Sequence, residues 1–221
     1  MLYSLEAARA NIRNRDGKRV FYLAKGDQLT SDARDFLQRE RIEILPAEQA
    51  RPARYRLLNG GFIEEKPEHM THLYGDVLVE KTHPRIAFRG AVDTLEAEIL
   101  LCQMEVPHLC KELEEVLSLT RNLIRWEVLG EPVQVGTLCG LDEKQLREQS
   151  HRPQDFYGQP HFMPSAADGA AVLRLNRVRC AVRHAELKAV AAVPERQDIL
   201  RALNRMSSCL YILMIREKSR M

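Results

Sequence analysis

The feature that most constrains this chain is a pair of apolar seams with alternating spacings of four and three. After Pro84 the residues Phe88, Val92, Leu95, Ile99 and Cys102 recur in this way, and near the C-terminus Ile199, Leu203, Met206, Leu210 and Leu213 repeat it. An α-helix turns once in about 3.6 residues, so this spacing gathers every apolar group on one stripe, and the stripe must be buried against another helix. Pro84 suits a first helical position, where its missing N–H costs nothing. A further helix is predicted from about His108 to Leu129, carrying Leu109, Leu113, Val116, Leu117, Leu123 and Ile124, and two more over 169–192 and 195–216. The chain is therefore read as mainly α: an up-down bundle of about five helices.

Ahead of the bundle the pattern changes. Lys18 to Ala24 (KRVFYLA) has strand character, Gly26-Asp27 marks a turn, Thr30 or Ser31 can cap a helix through DARDFLQRE, and RIEIL reads as a second strand. Residues 1–66 are read as a small N-terminal α+β extension with its linker, and 67–221 as the helical-bundle domain. QARPARYRLLNGG is a linker or a long hairpin. Residues 130–169 are irregular apart from a short helix that Asp142 could cap, and ordered connections of that length tend to be lids or binding loops.

With 221 residues, 45% hydrophobic and 29% charged, the chain can bury a real core. No apolar run approaches the roughly 20 residues of a membrane span, and MLYSLEAARANIRNRDGKR has no apolar leader, so a cytoplasmic protein is expected, with no membrane partner. The cysteines, Cys102, Cys110, Cys139, Cys180 and Cys209, include no CxxC pair and are expected as reduced thiols. None of the seven histidines forms an HxxxH pair on a helix, so no metal site is expected there. Charge is unevenly placed. Residues 171–221 hold nine Arg and two Lys against four acidic groups, a surplus of +7, which leaves −5 elsewhere for a net +2. That points to a localised anion site. Nucleic acid is disfavoured, because the basic segment contains Tyr211 as its single aromatic and stacking platforms need more.

Within VLRLNRVRCAVRHAELKAV, Val178, Val182, Ala185 and Ala189 form an apolar stripe, while Arg179, Arg183 and Glu186 stand together one step round. Such a cluster is either a solvated helix face or a site for an anion. The same choice arises at KTHPRIAFRG, where Lys81, His83, Arg85 and Arg89 crowd a predicted helix start although the macrodipole favours acidic groups there.

These segments also carry a resemblance. KTHPRIAFRGAVDTLE resembles the K-x-x-P-R-I-x-x-x-G-x-V-D-E-L segment of ATP:cob(I)alamin adenosyltransferases of the propanediol-utilisation type. RCAVRHAE resembles their R-x-x-x-R-R-A-E segment, and ALNRMSSCLYILMI their Y-L-N-R-L-S-D-x-L-F segment. GDQLTSDARDFLQRERIEI, KPEHMTHL, VLGEPVQVGTLCGLDEKQLREQSHRP and HFMP resemble the ethanolamine-utilisation branch of the same superfamily, and the resemblance covers about residues 20–216. It implies a cobalamin adenosyltransferase-like bundle that transfers the 5′-deoxyadenosyl group of ATP to cobalt(I), with ATP, Mg²⁺ and cobalamin as its small molecules. The cofactor supplies the nucleophile, so the protein need only hold ATP in line, stabilise the departing triphosphate and strip the lower axial ligand from cobalt.

By the same resemblance Lys81, Arg179, Arg183, Glu186 and Asn204 are nucleotide-binding residues, and Thr71 stands where the family has a Thr-rich phosphate loop. The lysine and arginines favour a triphosphate over a solvated rim for the cations at the helix start. Asp93 matches an aspartate that pairs with Arg179 across a subunit interface, which implies a homo-oligomer whose site is completed by two copies. Phe88, His161 and Phe162 are expected on the cobalamin side, with Phe162 the apolar candidate for blocking the lower corrin face and His161 the alternative. The branch's H-x11-C-C-x2-C metal motif is absent, since no cysteine precedes Cys102, so no protein-bound transition metal is expected. A flavin-dependent reductant, ethanolamine ammonia-lyase and a bacterial microcompartment are the implied associates. The alternative function is a non-catalytic cobalamin carrier or microcompartment-associated binding protein.

Overall fold

The computed structural model describes residues 1–15, 17–50 and 55–220. They fall into two compact units, Met1–Tyr55 with Phe62–Glu65, and Arg56–Gly61 with Lys66–Met221, where the sequence suggested a division after residue 66. The linker reading at Arg51 to Arg54 lies outside the described residues.

The first unit alternates short strands and helices: β1 (Leu2–Tyr3), α1 (Leu5–Ala10), β2 (Ile12–Arg15), β3 (Lys18–Leu23), β4 (Gln28–Leu29), α2 (Ser31–Arg39) and β5 (Glu43–Pro46). β3 is central to three strands, antiparallel to β2 and parallel to β5, and β1 runs parallel to β4. Thr30, not Ser31, caps α2, its hydroxyl accepting the Ala33 N–H at 3.3 Å. Ala8, Phe21, Leu29, Ala33, Leu37 and Ile42 are the buried core.

β6 (Tyr55–Leu57) and β7 (Phe62–Ile63) follow, then β8 (Met70–Tyr74) and β9 (Val77–Glu80). In the second unit β9 pairs parallel with β6 and antiparallel with β8, and Gly75 at φ 51° makes the turn that joins β8 to β9. The bundle consists of α3 (Pro84–Glu105), α4 (Cys110–Leu129), α7 (Gly169–Ala192) and α8 (Gln197–Lys218), with α5 (Glu143–His151) and α6 (Pro153–Tyr157) in the connection between α4 and α7. α7 packs between α3 and α8, α4 packs on α3, and α5 packs on α8. Both sequence seams are buried: every one of their ten residues has 2% exposure or less. α8 is enclosed almost all round at its C-terminal half, where Ile212, Leu213, Met214 and Ile215 are all fully buried.

Three expectations need correction. Arg85 and Arg89 are not free for a phosphate, because both bind Glu127, whose side chain is fully buried at the end of α4. Arg85 donates to a carboxylate oxygen and to the Glu127 carbonyl at 3.2 Å, and Arg89 makes a two-pronged contact at 3.0 and 2.9 Å. The cations at the start of α3 thus solve a packing problem, pinning one helix start to another helix end. Phe88 has 0% exposure and sits in the bundle core, so its ring offers no surface to a corrin. Cys139 and Cys209 are joined as a disulfide, with Cα atoms 6.6 Å apart, while Cys102, Cys110 and Cys180 are free.

Candidate active site

On α7 the buried stripe Val172, Leu175, Val178, Val182, Ala185 and Ala189 locks the helix between its neighbours, and Arg179 and Arg183 project one step round from it. On α8 the seam does the same for Asn204, Ser207, Ser208 and Tyr211. These groups meet in a cavity of about 530 Å³. Its remaining wall comes from Ser150 and His151 at the end of α5 and from the extended strap His161, Phe162, Met163 and Pro164. The volume is within the usual range of ligand pockets.

The charge arrangement distinguishes this cavity from the rest of α7. Arg174 and Arg177 on the same helix are neutralised by Glu98 and Glu105 of α3. Among the described residues no carboxylate pairs with Arg179 or Arg183. The Arg179 Nε is buried without a hydrogen-bond partner, and burial together with the Arg183 charge pushes its guanidinium below the ordinary arginine range. Its guanidinium carbon lies 5.2 Å from the centre of the Tyr211 ring. Arg179, half-desolvated, and Arg183, exposed one turn further along α7, have no carboxylate partner among the described residues and together suit an anion.

The strap is held by side chains, since residues 159–165 form no helix or strand. The Phe162 N–H donates to the Tyr211 hydroxyl at 3.3 Å, and the His161 Nδ1 lies 3.1 Å from the same oxygen. The two rings stack on Tyr211 at 5.7 and 6.0 Å between centroids. Lys218 places its ammonium 4.3 Å from the Phe162 ring centre and pairs with Asp168 at 2.5 Å. That lysine, with the Ser165 N–H at 2.7 Å, holds the Asp168 carboxyl below the usual carboxylate range.

Of the residues singled out from the sequence, His161, Phe162, Arg179, Arg183 and Asn204 line this one cavity. The Asn204 amide is oriented by Arg205, which donates to its Oδ1 at 3.0 Å. Thr71 on β8, Lys81 just after β9, Asp93 on α3 and Glu186 on α7 are not among the cavity's lining residues. Asp93 is exposed and takes part in no ion pair among the described residues. Tyr211 was not anticipated at the site. Its signal was present, since it lies seven residues after Asn204 and hence two turns along the same face, but an aromatic inside an apolar run reads as core. Among the described residues no cluster of three His, Cys, Asp or Glu side chains could hold a metal ion, and no helix is long and apolar enough to cross a membrane.

The fold is a helical bundle whose cavity sets two arginines, unpaired among the described residues, beside an aromatic strap, an arrangement suited to an anionic ligand with a flat apolar part. A family model described as cobalamin adenosyltransferase matches residues 62–217, and the chain belongs to that family. Two similar curated proteins are the corrinoid adenosyltransferase EutT of Salmonella typhimurium, 34% identical over 160 residues, and that of Escherichia coli K12, 33% identical. Each match takes in 69% of this chain and 60% of the relative, so the chain spans about three-fifths of the length of the curated relatives it matches. Among solved structures, two variants of a PduO-type ATP:corrinoid adenosyltransferase from Lactobacillus reuteri, both complexed with cobalamin and ATP, share the fold. Their TM-scores are 0.54 and 0.52 at 21% and 20% identity, over 69% of this chain and 88% and 91% of theirs.

Proposed function

We propose that this chain is an ATP:corrinoid adenosyltransferase. Cobalt(I) of the corrinoid substrate attacks C5′ of ATP, a cobalt–carbon bond forms, and the C5′–O bond breaks with its electron pair departing on triphosphate. The observation that carries the reading is that Arg179, Arg183 and Asn204 line the same cavity as the His161–Phe162 strap. One group of residues suits a polyphosphate that gains charge as it leaves, and the other suits the flat, largely apolar underside of a macrocycle. Arg179 and Arg183 stabilise the leaving group, Asn204 holds the nucleotide, and Phe162, with His161 beside it, excludes a lower axial ligand so that cobalt(II) becomes four-coordinate and easier to reduce.

Thr71, Lys81, Asp93 and Glu186 complete the nucleotide site in this reading. Asp93, exposed and without an ion-pair partner among the described residues, meets Arg179 of a second copy, so the working unit is a homo-oligomer. Mg²⁺ enters on the phosphates of ATP, and the chemistry requires no protein-bound transition metal. A flavin-dependent reductant would supply cobalt(I), and ethanolamine ammonia-lyase, with or without a microcompartment, would consume the product.

The direct test is anaerobic incubation with ATP and chemically reduced cobalamin, following adenosylcobalamin by its absorbance and triphosphate by its stoichiometry, with metal analysis of the active protein. Equal yields of the two products are expected. Corrinoid binding without either product would make the chain a carrier instead.

A further inference from the structure

We propose that Tyr211 is a positioning residue, whose hydroxyl tethers the His161–Phe162 strap across the cavity and couples it to Arg179. The inference rests on the adenosyltransferase reading above and concerns which atom keeps the lower-face groups in place.

For a neutral His161 ring the hydrogen-bond directions follow from the partners. The His161 Nε2 lies 3.1 Å from the His151 carbonyl oxygen, which can only accept, so Nε2 carries the proton. In the neutral ring Nδ1 is then a bare acceptor, and the group 3.1 Å from it is the Tyr211 hydroxyl, which donates. The phenolic oxygen in turn accepts the Phe162 N–H at 3.3 Å. Phe162 N–H, Tyr211 O–H, His161 and the His151 carbonyl thus form one chain of fixed polarity, running from the strap through α8 to the end of α5. Deleting the phenolic oxygen leaves a backbone donor and an imidazole acceptor without partners while removing almost no volume.

The strap needs such a tether. Residues 159–165 have no helical or strand hydrogen bonds to hold them, and Met163 among them is 91% exposed. The same ring lies under the Arg179 guanidinium at 5.2 Å, so an anion that draws on Arg179 acts on the residue that holds the strap. The family segment L-N-R-L-S-D-x-L-F, matched by residues 203–211, ends in Phe where this chain has Tyr211.

Tyr211→Phe separates the tether from simple packing, because both aromatic stacks survive the change. Three readings on the oligomer are needed: hydrogen–deuterium exchange of the peptide spanning 159–164, the four-coordinate cobalt(II) signal in EPR with ATP and cob(II)alamin bound, and the dissociation constant for ATP. Exchange should accelerate by about three- to tenfold, as expected for loss of the hydrogen bond that holds the Phe162 N–H. The four-coordinate signal should fall by at least half, while the ATP constant stays within about twofold and thermal melting within a few degrees. Unchanged exchange, or faster exchange with an undiminished cobalt signal, would overturn the proposal. A wild-type chain that makes no adenosylcobalamin would overturn the functional reading itself. A competent wild type matched by the variant in every measurement would remove the tether alone.

Discussion

A half-buried guanidinium without a counter-ion is an expensive thing to keep in a folded chain, and α7 carries one, Arg179, unpaired among the described residues beside two arginines that are paired with α3. The contrast on one helix is what turns an arginine-rich sequence into a site. Arg179→Ala should therefore leave folding intact, and it should even remove a desolvation cost. It should lower adenosyl transfer by about 10- to 100-fold, the equivalent of losing one charge-assisted contact to phosphate. Circular dichroism with single-turnover kinetics checks both halves, and wild-type turnover would refute the role. Glu127 is the opposite case, a buried acidic residue whose partners are the two arginines at the start of α3. Glu127→Ala strands Arg85 and Arg89 half-buried without a partner and should cost about 3 kcal/mol in urea unfolding, with residual activity in whatever fraction stays folded. A loss under about 1 kcal/mol would show that water replaces the carboxylate.

At the scale of elements, the turn between α7 and α8 shows how the site walls are fixed. Arg196 donates to the carbonyls of Trp126 and Glu131 at 3.0 and 2.7 Å and forks onto Asp198 at 2.9 Å with each nitrogen, while Asp198 also accepts the Val133 N–H at 3.0 Å. These contacts staple the start of α8 to the end of α4, and they hold the Asp198 carboxyl far below its ordinary range, chiefly through Arg196. A carboxylate depressed in the folded state contributes stability that is fully present above its unfolded pKa, near 3.9, and is lost as pH falls through the folded value. Urea midpoints measured from pH 7 to pH 2 should fall below about pH 4, and Asp198→Asn should lower the midpoint at pH 7 while flattening that acid limb. An acid limb of unchanged steepness would assign it to other carboxylates. The helices were legible in the sequence because a stripe of period 3.6 has no other use; Arg179 and Arg183 stood out beside such a stripe as either a solvated face or an anion site, and Asn204 came from the family resemblance alone. What escaped was long-range or ambiguous in kind. The Glu127 partners lie 42 and 38 residues away, the Cys139–Cys209 pair 70 apart, and Phe88 obeys the seam spacing yet was assigned to the ligand. Tyr211 sat in an apolar run that conceals which of its members also faces a cavity.

At the scale of the whole molecule, the proposed site draws on residues that one chain does not gather into one cavity. Arg179, Arg183 and Asn204 share a cavity, whereas Asp93 stands exposed on α3 without an ion-pair partner among the described residues. In the proposed pairing, Asp93 on one copy meets Arg179 on another, both unpaired among the described residues, and closed rings of identical subunits would repeat such an interface at every contact. Complementation tests this directly. Asp93→Ala and Arg179→Ala chains should each be poorly active alone. When the two are unfolded together and refolded at equal concentrations, an interface can combine Asp93 from one chain with Arg179 from the other. Random assembly makes about one interface in four fully wild type, so activity should recover to about a quarter of the wild-type value per chain. The separately refolded variants, mixed afterwards without exchange of subunits, should show no gain. Mixed oligomers that stay as inactive as their parents would place Asp93 and Arg179 in the same chain or in unrelated roles, and would leave the cavity of one chain to do the chemistry alone.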